Sequence, residues 1–260
     1  MWGDVKVSRQ GPVAALTISN PGALNAFDQP MAEALVKRLK EVAVDDSVRC
    51  VLLRGEGTHF CAGGNLASIR AASDPSAYVL QLARTANEGL ARMRSMGKPV
   101  LAELKGAVAG GGVGVALAAD LRIASDTTQF SLAFLKVGLT PDMGSTWTLP
   151  RLVGRGRAFE IATASDPLPV MEAWRWGLVN RVAKASDLEV SSMAWAVELS
   201  RLAPRAVAEL KALLGRAEDD SFTSHLDTDS ATIARMAGTA DFREGADAFF
   251  GKRPPKFEGR

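Results

Sequence analysis

Three stretches of this chain carry residue types that can do chemistry. Two are stripped of side chains: Phe60-Cys61-Ala62-Gly63-Gly64-Asn65-Leu66 and Gly106-Ala107-Val108-Ala109-Gly110-Gly111-Gly112-Val113-Gly114. Glycines there let the backbone turn and leave amide N–H groups uncovered, so a ligand can approach the main chain closely. The third stretch holds a carboxylate, Asp142, whose neighbours include Phe134, Leu139, Pro141, Met143 and Trp147. Desolvation among such residues raises the proton affinity of an aspartate above its ordinary value of about 3.9, towards a range useful for moving protons. Two strand ends that offer bare donors to one developing negative oxygen would make an oxyanion hole, with the carboxylate as the acid or base beside it. Each feature also has a plain structural reading. A lone glycine run is more often a tight turn or close helix packing, and an Asp after a Pro is ordinary turn chemistry, so Asp142 could simply cap a helix beginning at Met143.

Several other chemistries are excluded. No Gly-Lys-Ser/Thr follows the glycine run, and a GxGxxG match would need a glycine where Val115 stands, so phosphate-loop and dinucleotide readings drop. Only Cys50, Cys61, His59 and His225 are present, too few for a disulfide framework or a His/Cys metal cluster, and no metal is expected. His59 and Cys61 flank the first loop two residues apart, but no third group is placed to orient them as a catalytic pair. With 31 Lys+Arg against 29 Asp+Glu, the formal charge is +2 and no basic block stands out, which disfavours nucleic acid as a partner. The longest uncharged apolar stretch, 106–119, is shorter than the roughly 20 residues that span a bilayer, so no membrane partner is expected. Two free cysteines and a start without a charged-then-apolar leader fit a cytoplasmic protein.

These residues need a scaffold, and 260 residues with 47% hydrophobic content supply one large domain or two small ones with a sizeable core. In the first part, short β-branched runs alternate with helical periods, the writing of parallel strands joined by crossover helices. Residues 13–18, 48–53, 99–104 and 121–124 read as strands. Between the first two, Asp28 can cap a helix with Pro30 in its first turn and Met31, Leu35, Leu39 and Val42 on one face. A small-residue helix follows the glycine run to Ala119. After about Ser186 the pattern becomes helix upon helix, at 188–202, 204–214, 222–236 and 241–250, with Pro254-Pro255 as a stop. These helices carry apolar faces that need the preceding core or another subunit to pack on.

Asn20-Pro21-Gly22-Ala23-Leu24-Asn25-Ala26, the loop 60–66, and Lys105-Gly106-Ala107-Val108-Ala109-Gly110-Gly111-Gly112 resemble, in order and spacing, the enoyl-CoA hydratase/isomerase (crotonase) superfamily, as does the tail from Phe242-Arg243-Glu244-Gly245 through Phe249, Lys252 and Arg253. The resemblance implies an α/β fold: a spiral of ββα turns over residues 1–195, then a helical region over 196–260 that makes trimers, often paired into hexamers. It implies an acyl-CoA thioester as substrate, with coenzyme A entering as part of that substrate and no other cofactor. Carried over by position, the oxyanion donors are the amides of Gly64 and Gly111. The acyl-CoA would pass Ala23, Leu24 and Ala26, then Ala62, Asn65, Leu66 and Ala67, and Phe134. Phe249 and Lys252 match positions that reach a neighbouring subunit's CoA.

Departures from the family pattern bear on the reaction. Its hydratases use two glutamates to activate and protonate water, and the matching positions here hold Gly114 and Phe134, neither of which can carry a proton. A carboxylate stands instead at Asp142, in Gly138-Leu139-Thr140-Pro141-Asp142, similar to the epoxyphenylacetyl-CoA isomerases of phenylacetate breakdown and the enoyl-CoA isomerases of fatty acid metabolism. The expected reaction is therefore migration of a double bond through an enolate, with Asp142 moving the proton. Two alternatives keep the fold. Asp142 also aligns with the nucleophile of 4-chlorobenzoyl-CoA dehalogenase, although that enzyme's histidine and tryptophan have no counterpart here. A chain that binds acyl-CoA without chemistry is the other. The first motif lacks the basic residue often found between Asn20 and Ala23, and Asn65 replaces the usual aspartate.

Overall fold

The computed structural model describes residues 3–217 and 219–260, and structural statements below concern those residues. The strands are β1 (Asp4–Gln10), β2 (Val13–Ser19), β3 (Cys50–Gly55), β4 (Val100–Leu104), β5 (Ala107–Ala109), β6 (Leu121–Ser125), β7 (Gln129–Ser131), β8 (Leu168–Pro169) and β9 (Arg181–Ala183). The helices are α1 (Gln29–Val44), α2 (Leu66–Ala71), α3 (Pro75–Ser95), α4 (Gly111–Ala118), α5 (Ser145–Thr163), α6 (Val170–Arg175), α7 (Leu188–Ser200), α8 (Pro204–Arg216), α9 (Phe222–Ala237) and α10 (Ala240–Phe250).

Six strands form one sheet in the order β1-β2-β3-β4-β6-β9. Only the β1–β2 hairpin is antiparallel; the other neighbours run parallel, which requires the crossover helices the alternating pattern anticipates. A second sheet, β5-β7-β8, sits where the chain leaves β4 and β6. β2, β3 and β4 are buried almost throughout, as parallel strands covered on both faces must be. One cluster, with Leu16, Leu39, Leu53, Phe60 and Met93, packs between the sheet and helices α1, α3 and α4. A second, with Val13, Leu52, Leu101 and Trp195, lies on the opposite face under α7, whose Trp195 and Ala196 are both buried.

Local chemistry places the ends of these elements. Asp28 caps α1, its Oδ1 accepting the Met31 amide at 3.0 Å, as its position before Pro30 predicts. The strand expected at 48–53 pairs over Cys50–Gly55, because Val48 still belongs to the turn in which its amide donates to the Asp45 carbonyl. The four C-terminal helices fall within two residues of their expected bounds. Two buried polar anchors tie layers together: Glu103 on β4 accepts the Ser192 hydroxyl of α7 at 2.5 Å, and the Arg122 Nε donates to the Leu178 carbonyl at 2.6 Å.

Candidate active site

The two glycine loops meet. Phe27 forms a parallel bridge with Gly64: its amide donates to the Gly63 carbonyl at 2.6 Å, and its carbonyl accepts the Asn65 amide at 2.8 Å. In that arrangement the flanking residues bond Phe27, so the Gly64 N–H points to the other side. Cys61 bridges Val108 in the same way, drawing the first loop onto β5 and the start of α4. Gly63 has a left-handed φ of 93°, and a Cβ added there would lie 2.9 Å from the Gly111 nitrogen. No side chain therefore separates the loops. Gly111 opens α4, where first-turn amides have no partner within the helix. Neither the Gly64 nor the Gly111 amide donates to a protein acceptor among the described residues. α4 is buried along its whole length, and its positive N-terminal end reinforces both donors in a medium that screens them weakly.

Asp142 stands beside this pair. Its Oδ1 lies 3.5 Å from the place a Gly111 Cβ would occupy, is buried, and has no hydrogen-bond partner. Burial pushes the carboxyl above the ordinary aspartate value, opposed only by its own backbone amide. The helix-capping alternative does not hold. α5 begins at Ser145 with Gly144 as its cap, and Ser145 donates through both its amide and its hydroxyl to the Asp142 main-chain carbonyl, leaving the carboxylate uninvolved. An unpaired buried carboxylate oxygen costs stability and is kept where chemistry needs it.

The remaining expected residues fall into three places. Ala62 adjoins the donor loop, and its amide donates to the Leu24 carbonyl, joining the first motif to the second. Ala23 is half-buried, Leu24 is exposed and Ala26 is buried with its carbonyl accepting the Asn20 side-chain amide. Asn65 uses Oδ1 to cap α2, accepting the amides of Ala67 and Ser68, while Leu66 and Ala67 are exposed on the first turn of that helix. Phe134 lies in a 3-10 turn at Phe134–Val137 and packs half-buried against the main core. Phe249 and Lys252 are exposed at the end of α10, which packs on α9.

Strain marks the same segments. Among the described residues, the non-glycine positions with left-handed φ are Leu24, Asn25, Ala133, Met143 and Lys252, each within or next to a motif singled out from sequence. Such conformations cost about 1–3 kcal/mol each and concentrate at functional sites. Asn25 explains part of its own: buried, it accepts the Asn20 amide and donates to the Glu56 and His59 carbonyls, each at 2.9 Å, which fixes the first motif against the loop before Phe60. Met143 is the residue that sequence reasoning missed. It is 4% exposed, and its Sδ lies 2.7 Å from the place of a Gly111 Cβ. Nothing in its spacing signals that contact, since a left-handed methionine has no sequence signature.

The His59-Cys61 pair is structural. His59 Nδ1 accepts the Ala107 amide at 3.0 Å, and burial pushes the Cys61 thiol up to about 12, which leaves it unreactive.

The profile for enoyl-CoA hydratase/isomerase matches residues 8–260. The chain is 35% identical over 253 residues to the 1,2-epoxyphenylacetyl-CoA isomerase of Escherichia coli, with 95% of each chain covered. It is 34% identical to a probable enoyl-CoA hydratase of Rhodobacter capsulatus, again with 95% of each covered. Its fold superposes on the crystal structure of an enoyl-CoA hydratase from Polaromonas with a TM-score of 0.94 at 32% identity, covering 98% of this chain and all of that one. Motifs, fold and the meeting of the two donor loops agree with that match along nearly the entire sequence: the chain belongs to the enoyl-CoA hydratase/isomerase family.

Proposed function

We propose that this acyl-CoA-processing enzyme moves a double bond from C3–C4 to C2–C3 of an enoyl-CoA, or acts on an epoxyphenylacetyl-CoA-like thioester by the same proton chemistry. The observation that carries the reading is the buried, unpartnered Asp142 Oδ1 beside Gly111. The thioester oxygen accepts from the amides of Gly64 and Gly111. Asp142 takes a proton from C2, the C2–H electron pair passes into the dienolate, and the charge settles on the oxygen between the two donors. Asp142 then returns the proton at C4, and the double bond rests between C2 and C3. One carboxylate suffices.

Hydration would need a second acid or base near C3, and the packing leaves no space for one at position 114. A Cβ added at Gly114 would lie 2.6 Å from the Met143 Cβ and closer still to the Met143 carbonyl oxygen, which is main chain and cannot swing away. Gly114→Glu is therefore expected to lower the melting temperature, overpacking of this kind costing about 1–3 kcal/mol, and to yield no 3-hydroxyacyl-CoA from a 2-enoyl-CoA by mass spectrometry. Appearance of that product at an unchanged melting temperature would contradict the packing argument.

A nucleophilic Asp142 finds no base to release an ester. His59 is engaged with the Ala107 amide, and His225 pairs with Asp220 and Asp229 around α9. We also propose a cytoplasmic protein that assembles as a homotrimer or a dimer of trimers; what supports assembly is that Leu214, Phe222, Ile233, Phe249 and Phe250 on the C-terminal helices are all more than 60% exposed in the single chain, an apolar surface that another subunit would cover. No described helix is long and apolar enough to cross a membrane. The test of the reaction is the conjugated-thioester absorbance that develops when a 3-enoyl-CoA is mixed with the protein. A 3-enoyl-CoA that binds and is recovered unchanged would contradict double-bond migration and leave the epoxyphenylacetyl-CoA-like substrate and the acyl-CoA-binding reading, which the same assay with an epoxyphenylacetyl-CoA-like thioester separates.

A further inference from the structure

Three atoms converge on the bare face of Gly111: Met143 Sδ and Cε, at 2.7 and 3.3 Å from the place of its Cβ, and Asp142 Oδ1 at 3.5 Å. The methionine thioether and the proton-carrying oxygen thus share one corner, over the helix end whose amide is the second oxyanion donor. Met143 also lines a cavity of about 300 Å³ with Leu90, Ala91, Gly114, Ala118 and Trp147. That cavity is open to solvent, with Ala91 and Trp147 exposed on its walls. Met143, itself buried, forms part of the wall of that cavity, and Asp142 is half-buried with its Oδ1 fully covered close by. The side chain is held against α4 by a left-handed backbone and by the absence of any Cβ at Gly111 and Gly114, the two positions on which it rests.

We propose that Met143 is a shielding residue for the isomerisation: it closes the corner between Asp142 and Gly111 to water, so that the proton taken from C2 stays on Asp142 until it is delivered to C4. The inference rests on the reading of Asp142 as proton carrier. In the step at issue, the C2–H bond breaks, an O–H bond forms on Asp142, and the same hydrogen forms the C4–H bond as the carboxylate is restored. Exchange of that carboxyl hydrogen with solvent competes only if water can hydrogen-bond to it while the dienolate persists. A flexible, apolar thioether fills such a gap without offering a competing acceptor of comparable strength. Met143 therefore decides where the proton goes, though it carries no charge itself.

The experiment is isomerisation of a 3-enoyl-CoA in deuterated water, with deuterium in the 2-enoyl product and in recovered substrate measured by mass spectrometry. Wild-type product is expected to retain mostly substrate hydrogen. Met143→Ala is expected to turn over above the level of Asp142→Asn, with deuterium incorporation raised severalfold towards one solvent deuteron per turnover, and the volume-conserving Met143→Leu to retain hydrogen as wild type does. A purely structural methionine would change the rate without changing this partition. Full labelling of the wild-type product, which needs no variant to fold, or equal labelling of wild type and Met143→Ala, would overturn the shielding role and leave the isomerase reading standing. Failure of wild type to convert the substrate would overturn the reaction itself, and this inference with it.

Discussion

Asp142→Asn is expected to lower kcat/KM for double-bond migration by about 100 to 10,000-fold, the range over which a positioned general acid or base contributes, while binding of the CoA ester stays close to that of wild type. The amide is isosteric and neutral, so the pocket keeps its shape and loses only the group that accepts the proton. Two further measurements separate this from a structural effect. The acid limb of the wild-type kcat/KM profile should lie above the usual aspartate range, because burial favours the protonated form and only the carboxylate acts as base. Stability should move the other way. A carboxyl whose folded proton affinity is raised contributes stability below its unfolded pKa and loses it as pH rises through the folded value, so at neutral pH the ionised Asp142 opposes folding. Removing the charge is therefore expected to raise the melting temperature in calorimetry. A variant that is both active and less stable than wild type would contradict the assignment on both counts.

Gly63→Ala should be nearly as damaging, though it alters no group that carries a proton. The added methyl would lie 2.9 Å from the Gly111 nitrogen and 3.0 Å from the Ala109 carbonyl oxygen, both main-chain atoms, at a backbone φ of 93° that an L side chain rarely adopts. The strain costs about 1–3 kcal/mol. The loops can relieve it only by moving apart, which takes the Gly64 and Gly111 donors off a common oxygen, and loss of one such donor typically reduces the rate by about 100 to 1,000-fold. The expected signature in steady-state kinetics is a fall in kcat larger than any rise in KM, since the donors act more strongly on the enolate than on the ground-state thioester. Wild-type kcat in a folded Gly63→Ala protein would contradict the oxyanion assignment.

The two glycine loops announce themselves by their uncovered backbones at strand ends, and helices α7 to α10 by apolar residues at helical spacing, with Pro204 opening α8 and Pro254-Pro255 following α10. The short strands β5, β7 and β8 did not, because two or three residues hold no periodicity and their pairing is made by distant partners. The role of Asp142 could not be decided from spacing. A capping aspartate and one free for other chemistry use the same Pro-Asp sequence, and capping is decided by which group accepts from Ser145: here the main-chain carbonyl does, so the side chain does not cap, and its Oδ1 has no partner. Asn65 illustrates the converse, a position assigned to ligand by resemblance whose side-chain oxygen is occupied in capping α2. Met143 was invisible because its effect depends on two glycines more than 25 residues earlier in the chain, at 111 and 114, presenting bare backbone to it.

The central claim, that one carboxylate serves both ends of the migrating double bond while two main-chain amides hold the oxygen, is tested most directly by a crystal structure of Asp142→Asn with a 3-enoyl-CoA bound. The account predicts the residue 142 side chain within about 3–3.5 Å of both C2 and C4, the separation of reacting atoms poised to react, and the thioester oxygen within about 2.7–3.1 Å of the Gly64 and Gly111 nitrogens. A thioester oxygen held by other donors, or an acyl chain whose C2 and C4 both lie beyond reach of that side chain, would contradict it.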